Sequence, residues 1–198
     1  TEIKRLNSLR PQALLAKYLK AYLYYQEKKN NEAVNLLQEV LKDNPDNPQA
    51  NLLYGTINYA LKNDEIALSS FNKVLSTTEL PEARLLLAAT QLRMGANADV
   101  IKTLEPLLAQ RNNAKAYLLA GQATLNLGQT ERGMAYLSQA STIDPKDTVI
   151  RGTLAQNQLR TGDQQGIQGL ESVITANPED PQAYLLLATS EVGKADFK

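Results

Sequence analysis

The chain has 198 residues, and its 21 Lys plus Arg are balanced by 21 Asp plus Glu, so the formal net charge is zero. A neutral chain lacks the basic footprint that carries nucleic-acid affinity, and it has no polybasic stretch for anionic lipid. Cysteine and histidine are both absent, which removes disulfides, thiolate chemistry, Cys/His metal sites and every catalytic triad built on imidazole.

In chain order, residues 1–10 read as the tail of a second helix belonging to an earlier unit. A helix then opens at Pro11, and a second follows through Ala33, Leu37, Val40 and Leu41, closed by Asn44-Pro45. Proline pushes the residue before it out of the helical region, so this dipeptide marks a helix end. Pro48-Gln49-Ala50 opens the next unit, with apolar residues at helical spacing (Leu52, Leu53, Ile57, Leu61), a turn at Lys62-Asn63-Asp64, and a second helix through Ala67, Phe71, Val74 and Leu75. The pattern returns around Gly95, Gly128 and Gly162, where glycine suits the left-handed conformation that ends a helix. Asp144-Pro145 and Asn177-Pro178 close later units. The starts at Ala50, Ala83, Ala116, Ile150 and Ala183 lie 33, 33, 34 and 33 residues apart. A fixed period in this range predicts stacked supersecondary units rather than one enclosed core.

The expected repeats are 11–47, 48–80, 81–113, 114–147 and 148–180, with 181–198 opening a further one. The first departs from the period, because Pro11 to Pro48 spans 37 residues; about three extra residues near Tyr18 to Lys29 predict one added turn on its first helix. Pro106 falls inside a second helix and predicts a kink there. The absence of a leader before Thr1 reads as an excised or mature segment, so the cut ends would be open to stacking on further repeats or to self-association.

No Gly-rich phosphate loop, nucleophile elbow or metal-ligand spacing appears, and no cofactor is implied. Acidic pairs such as Asp64-Glu65 and Glu179-Asp180 fall at turns and helix starts, where they suit the helix dipole. No apolar run approaches the roughly 20 residues of a membrane-spanning helix. These observations favour a non-catalytic interaction scaffold over an enzyme.

The repeated pattern resembles the tetratricopeptide repeat family. Gly55, Ala88, Gly121, Ala155 and Ala188 take its small position on helix one. Ala33, Ala67 and Gly166 take the small position on helix two, and Pro45, Pro145 and Pro178 its closing proline. The resemblance spans about residues 12 to 198. It implies an all-α fold, an α-solenoid of antiparallel helix–turn–helix repeats stacked into a right-handed superhelix, with the first helices lining a concave face. The small residues let paired helices approach closely.

On that face Arg93, Asn126 and Arg160 take equivalent places and predict a ladder. Gln122 and Gln156 lie one turn earlier, with Lys115 at the mouth and Tyr59 nearby. Such a strip suits carboxylates or the backbone of an extended protein or peptide partner. The family's chaperone-binding members grip a terminal carboxylate with lysine and asparagine, but Leu85, Leu118 and Gly152 stand where the first lysine belongs. A second candidate is the tyrosine cluster Tyr18, Tyr22, Tyr24 and Tyr25, a residue type suited to interface anchors. At least one of the consecutive Tyr24 and Tyr25 should be accessible. The Leu-rich first helices and Asn-Pro or Asp-Pro closings also resemble bacterial envelope-associated lipoproteins of this family, which accompany exosortase and exopolysaccharide systems. That likeness implies a periplasmic or envelope location, with the cytoplasm as the alternative.

Overall fold

The structure is a computed structural model that describes the backbone of residues 2–179, 181, 183–185 and 187–188, with side chains from Ala13 onward. The remainder of the expected further repeat at 181–198 lies outside the described residues. Regular structure among the described residues is entirely helical: α1 (Glu2–Gln26), α2 (Asn30–Asp43), α3 (Pro48–Ala60), α4 (Asp64–Thr77), α5 (Pro81–Arg93), α6 (Asn97–Ala109), α7 (Ala114–Asn126), α8 (Thr130–Ile143), α9 (Thr148–Arg160) and α10 (Gln165–Ala176).

The helix boundaries follow local chemistry. First helices begin on a side-chain cap: Asn47 accepts from Ala50 N, Asn113 from Ala116 N, and Asp147 from Val149 N and Ile150 N. At α5 the equivalent residue is Leu80, which cannot cap, and Pro81 starts the helix without needing a donor partner. First helices end on a left-handed residue: Gly95, Gly128 and Gly162 have φ of 77°, 76° and 84°, and Lys28 and Lys62 take the same conformation at 61° and 63°. At Lys62 its N–H donates to the Tyr59 carbonyl and the Asn63 N–H to the Asn58 carbonyl, the paired bonds of a Schellman turn.

The chain divides into two compact units, Thr1–Gly95 and Ala96–Lys198. In the first, hairpins α1/α2 and α3/α4 stack in sequence and α5 follows on α4. Ala21, Ala33, Leu37, Val40, Ala50, Leu53 and Ile57 form one buried cluster joining the two hairpins, and Ala67, Phe71 and Leu87 form another. In the second unit α6 packs on α7, and hairpins α7/α8 and α9/α10 follow. Ala114, Tyr117, Ala140 and Ile150 are a core there. Close approach within hairpins depends on the small residues. A Cβ on Gly55 would sit 2.7 Å from the Phe71 ring, and one on Gly166 would sit 2.5 Å from the Ala155 carbonyl oxygen.

Two expectations change. Residues 2–10 are not the tail of a separate helix: α1 runs from Glu2 to Gln26 with Pro11 inside it. The first repeat also has no inserted turn near Tyr18 to Lys29. The left-handed Lys28 and Lys62 are one ordinary period apart, so Leu14 rather than Pro11 is the counterpart of Pro48, and the additional length lies upstream. Pro106 lies inside α6, as the sequence places it; the helix runs on to Ala109 with Leu104 and Leu107 buried and Pro106 on the exposed side.

Candidate functional site: the first-helix face

Helix α3 buries one side against α4 and another against the α1/α2 hairpin, which leaves a third strip uncovered. In the first unit α3 touches both α1 and α5, so their strips form a continuous face. Its rows are Tyr18, Leu52 and Leu85; Tyr22, Thr56 and Ala89; and Tyr25, Tyr59 and Leu92. All are half-buried except Tyr22, which is exposed. This part of the face is aromatic and aliphatic.

Tyr18, Tyr24 and Tyr25 lean on the core cluster between the first two hairpins. Tyr24 and Tyr25 are therefore both half-buried, flanking the buried side of α1, and the accessible member of the cluster is Tyr22. Burial raises the Tyr18 phenol above its ordinary pKa, and the neighbouring Tyr22 adds to the shift. The Lys20 and Lys29 ammonium groups lie 5.5 and 5.7 Å from the Tyr24 ring centroid. Lys29 also bonds Glu27 at 2.6 Å, and that hydrogen bond is the main cause of its raised pKa.

The ladder positions serve the fold before they serve a ligand. Arg93, the last residue of α5, forks onto the carboxylate of Asp64, the first residue of α4, with Nε at 2.9 and 3.0 Å from its two oxygens and Nη2 also bonded to Oδ1. The same Nη2 donates to the Tyr59 carbonyl at 2.8 Å, and the guanidinium lies 3.7 Å from the Tyr59 ring centroid. Tyr59 is thus covered by Arg93. In the second unit Asn126 repeats the link, donating to Asn97 Oδ1 at 3.1 Å. Both bonds join the end of one first helix to the start of the second helix before it, and both span 29 residues. Asp64 and Asn97 were missed in the sequence, although that shared spacing was legible.

The other polar candidates lie in the second unit. Gln122 is half-buried, whereas Gln156, Lys115 and Arg160 are exposed. Twenty-nine residues before Arg160 stands Glu131, the second residue of α8. The polar strip is therefore a feature of the second unit, and Arg93 is compensated by Asp64. Among the described residues no cluster of acidic side chains is arranged for a metal, and no helix is long and apolar enough to cross a membrane.

No curated protein sequence matches this chain significantly. Several solved structures share its fold. MamA from Desulfovibrio magneticus RS-1 (residues 41 to the end) superposes with a TM-score of 0.75 at 20% identity, covering 85% of this chain and 97% of that one. The type IV pilus biogenesis factor PilW gives 0.80 at 21% identity, covering 93% and 88%. YrrB, described as a TPR protein with an unusual peptide-binding site, gives 0.69 at 13% identity, covering 88% and 90%. Sequence profiles described as "Tetratricopeptide repeat" match residues 18–84 and 114–147. Profiles, helical hairpins and structural likeness agree: the chain belongs to the tetratricopeptide repeat family.

Proposed function

We propose that this chain is a non-catalytic protein–protein interaction scaffold that holds an extended polypeptide segment against its first-helix face. The observation that carries this reading is the row structure of the first unit, where Tyr18, Tyr22, Tyr25, Leu52 and Thr56 present partly accessible apolar surface, with hydroxyl tips on the tyrosines and the threonine. Such side chains supply contact area at low entropic cost and can also hydrogen-bond a peptide backbone. Gln122, Gln156, Lys115 and Arg160 offer amide and cationic groups on the second unit, suited to peptide carbonyls and carboxylates. YrrB, of the same fold, is described as having a peptide-binding site, which supports this class of ligand.

The test is affinity capture from the source organism's lysate with wild type, Tyr22→Ala/Thr56→Arg and Gln156→Ala/Arg160→Glu as baits. Loss of a partner from either variant, with helicity unchanged, identifies which unit's first-helix strip binds. Retention by both variants rules the face out. Arg93 is a poor site for such a variant, because its loss would disturb the α4–α5 joint.

A further inference from the structure

A second concavity lies away from the first-helix face, between the second helices α2 and α4. It is a cleft of about 390 Å³, lined by Gln38 of α2, Asn51 and Tyr54 of α3, and Glu65, Ile66 and Lys73 of α4 among others. Two of these side chains depart from the other repeats. At the place of Asn51 the later repeats carry Arg84, Tyr117 and Arg151, and at the place of Tyr54 they carry Leu87, Ala120 and Leu154. The long side chains spend polar groups on the fold: Arg84 on Glu79, Tyr117 on the Leu108 carbonyl and Arg151 on the Ser172 carbonyl. Asn51 is 2% exposed, and its Nδ2 donates to the Pro45 and Asn47 carbonyls at 2.7 and 2.9 Å. Both partners are acceptors, so the amide nitrogen must face them and Oδ1 is turned away, with no donor reaching it among the described residues. Tyr54 accepts from Gln38 at 3.1 Å, and its own proton has no acceptor among the described residues. The cleft thus holds one unmet acceptor and one unspent donor, a costly arrangement for a buried carboxamide.

We infer that this cleft binds an extended segment of a partner protein that carries a basic and an acidic residue four apart, with a carboxamide midway between them. Along α4 the lining starts at the carboxylate of Glu65 and stops at the ammonium of Lys73, both exposed and neither in an ion pair among the described residues. Eight residues of helix rise by about 12 Å. In an extended chain, residues four apart project from the same face about 13 Å apart, and the residue midway shares that face. One such segment sets a cation on Glu65 and a carboxylate on Lys73, with charge-assisted contacts at both ends. Its central Asn or Gln meets both unspent groups: the amide N–H donates to Asn51 Oδ1, and the carbonyl accepts from the Tyr54 hydroxyl. Ile66, 41% exposed, gives the stems of these side chains an apolar wall. The reading of the first-helix face stands or falls separately.

The experiment titrates isotopically labelled full-length chain with two end-blocked peptides, Gly-Lys-Gly-Gln-Gly-Glu-Gly and the reverse order Gly-Glu-Gly-Gln-Gly-Lys-Gly, and follows amide shifts, the Asn51 side chain included. One order should give saturable shifts at Gln38, Asn51, Tyr54 and from Glu65 to Lys73. That order should bind at least tenfold more weakly to Glu65→Lys/Lys73→Glu, which should prefer the other order instead. Replacing the central glutamine of the peptide by leucine should weaken binding several-fold, and Tyr54→Phe should shrink that penalty. The charge variant alters only exposed side chains, and circular dichroism checks that both variants fold. Absence of saturable shifts with either order, shifts centred on Tyr22 and Thr56, or an unchanged order preference in Glu65→Lys/Lys73→Glu would overturn the inference. So would equal binding of the glutamine and leucine peptides, since that would leave Asn51 and Tyr54 without a role.

Discussion

Arg93 shows how one side chain can resemble a ligand contact while performing a structural task. Its guanidinium joins α5 to the start of α4 through Asp64 and lies over the ring of Tyr59. Both charged side chains are partly exposed, so solvent screening keeps the pair weak, and a double-mutant cycle of Arg93→Gln with Asp64→Asn should give a coupling of about 1 kcal/mol that shrinks in about 1 M salt. Arg93→Lys should recover little of it, because an ammonium cannot fork or stack. Chemical denaturation of the four proteins provides the check, and zero coupling at low salt would refute the staple. Tyr18 gives a second prediction at this scale. Burial and Tyr22 hold its phenol above the ordinary value, so the fold favours its neutral form. The stability this contributes is fully present below about pH 10 and is lost as pH rises through the folded pKa. Following phenolate absorbance in alkali, Tyr22→Phe should move the latest-titrating tyrosine to lower pH, and an unchanged curve would show that Tyr22 does not act on it.

The helices show which parts of the fold a sequence can display. Gly95, Gly128 and Gly162 announce their turns because glycine favours the left-handed region. Lys28 and Lys62 occupy the same place with no such signal, and that concealment led the first repeat to be counted from Pro11 rather than from the turn. The strained lysine predicts that Lys62→Gly raises stability and Gly128→Ala lowers it, each by about 1 kcal/mol, readable as opposite shifts of the thermal midpoint. The interhelical staple was illegible for a different reason. Aligning first helices by period reveals what is equivalent along a row, whereas Arg93 and Asn126 bond across to the preceding second helix. The aromatic part of the groove was half legible. The tyrosines stood out by type, but their register with Leu52, Thr56 and Leu85 needed the corrected start of the first repeat.

For the whole chain, stability is expected to be local. The helix pairs in substantial contact are one or two places apart in chain order, as a stack of hairpins requires, and the energy of such a stack is close to a sum of units and nearest-neighbour joints. Two glycines of the last described hairpin make this testable. Gly166 faces the backbone of α9, so the added methyl of Gly166→Ala meets a carbonyl that cannot yield, costing about 1–3 kcal/mol. Gly152 lies within α9, and a methyl added to it would meet open space, so Gly152→Ala should instead stabilise by about 0.5–1 kcal/mol through reduced backbone entropy. In amide hydrogen exchange, the first substitution should speed exchange in α9 and α10 and the second should slow it. Both should leave α3 and α4, which belong to the other compact unit, unchanged. Combined with Gly55→Ala, which presses on Phe71 in the first unit, Gly166→Ala should add to within about 0.5 kcal/mol. Faster exchange in α3 after Gly166→Ala, or a combined cost well away from that sum, would mean that the chain unfolds as one cooperative body and that its joints are stronger than its hairpins.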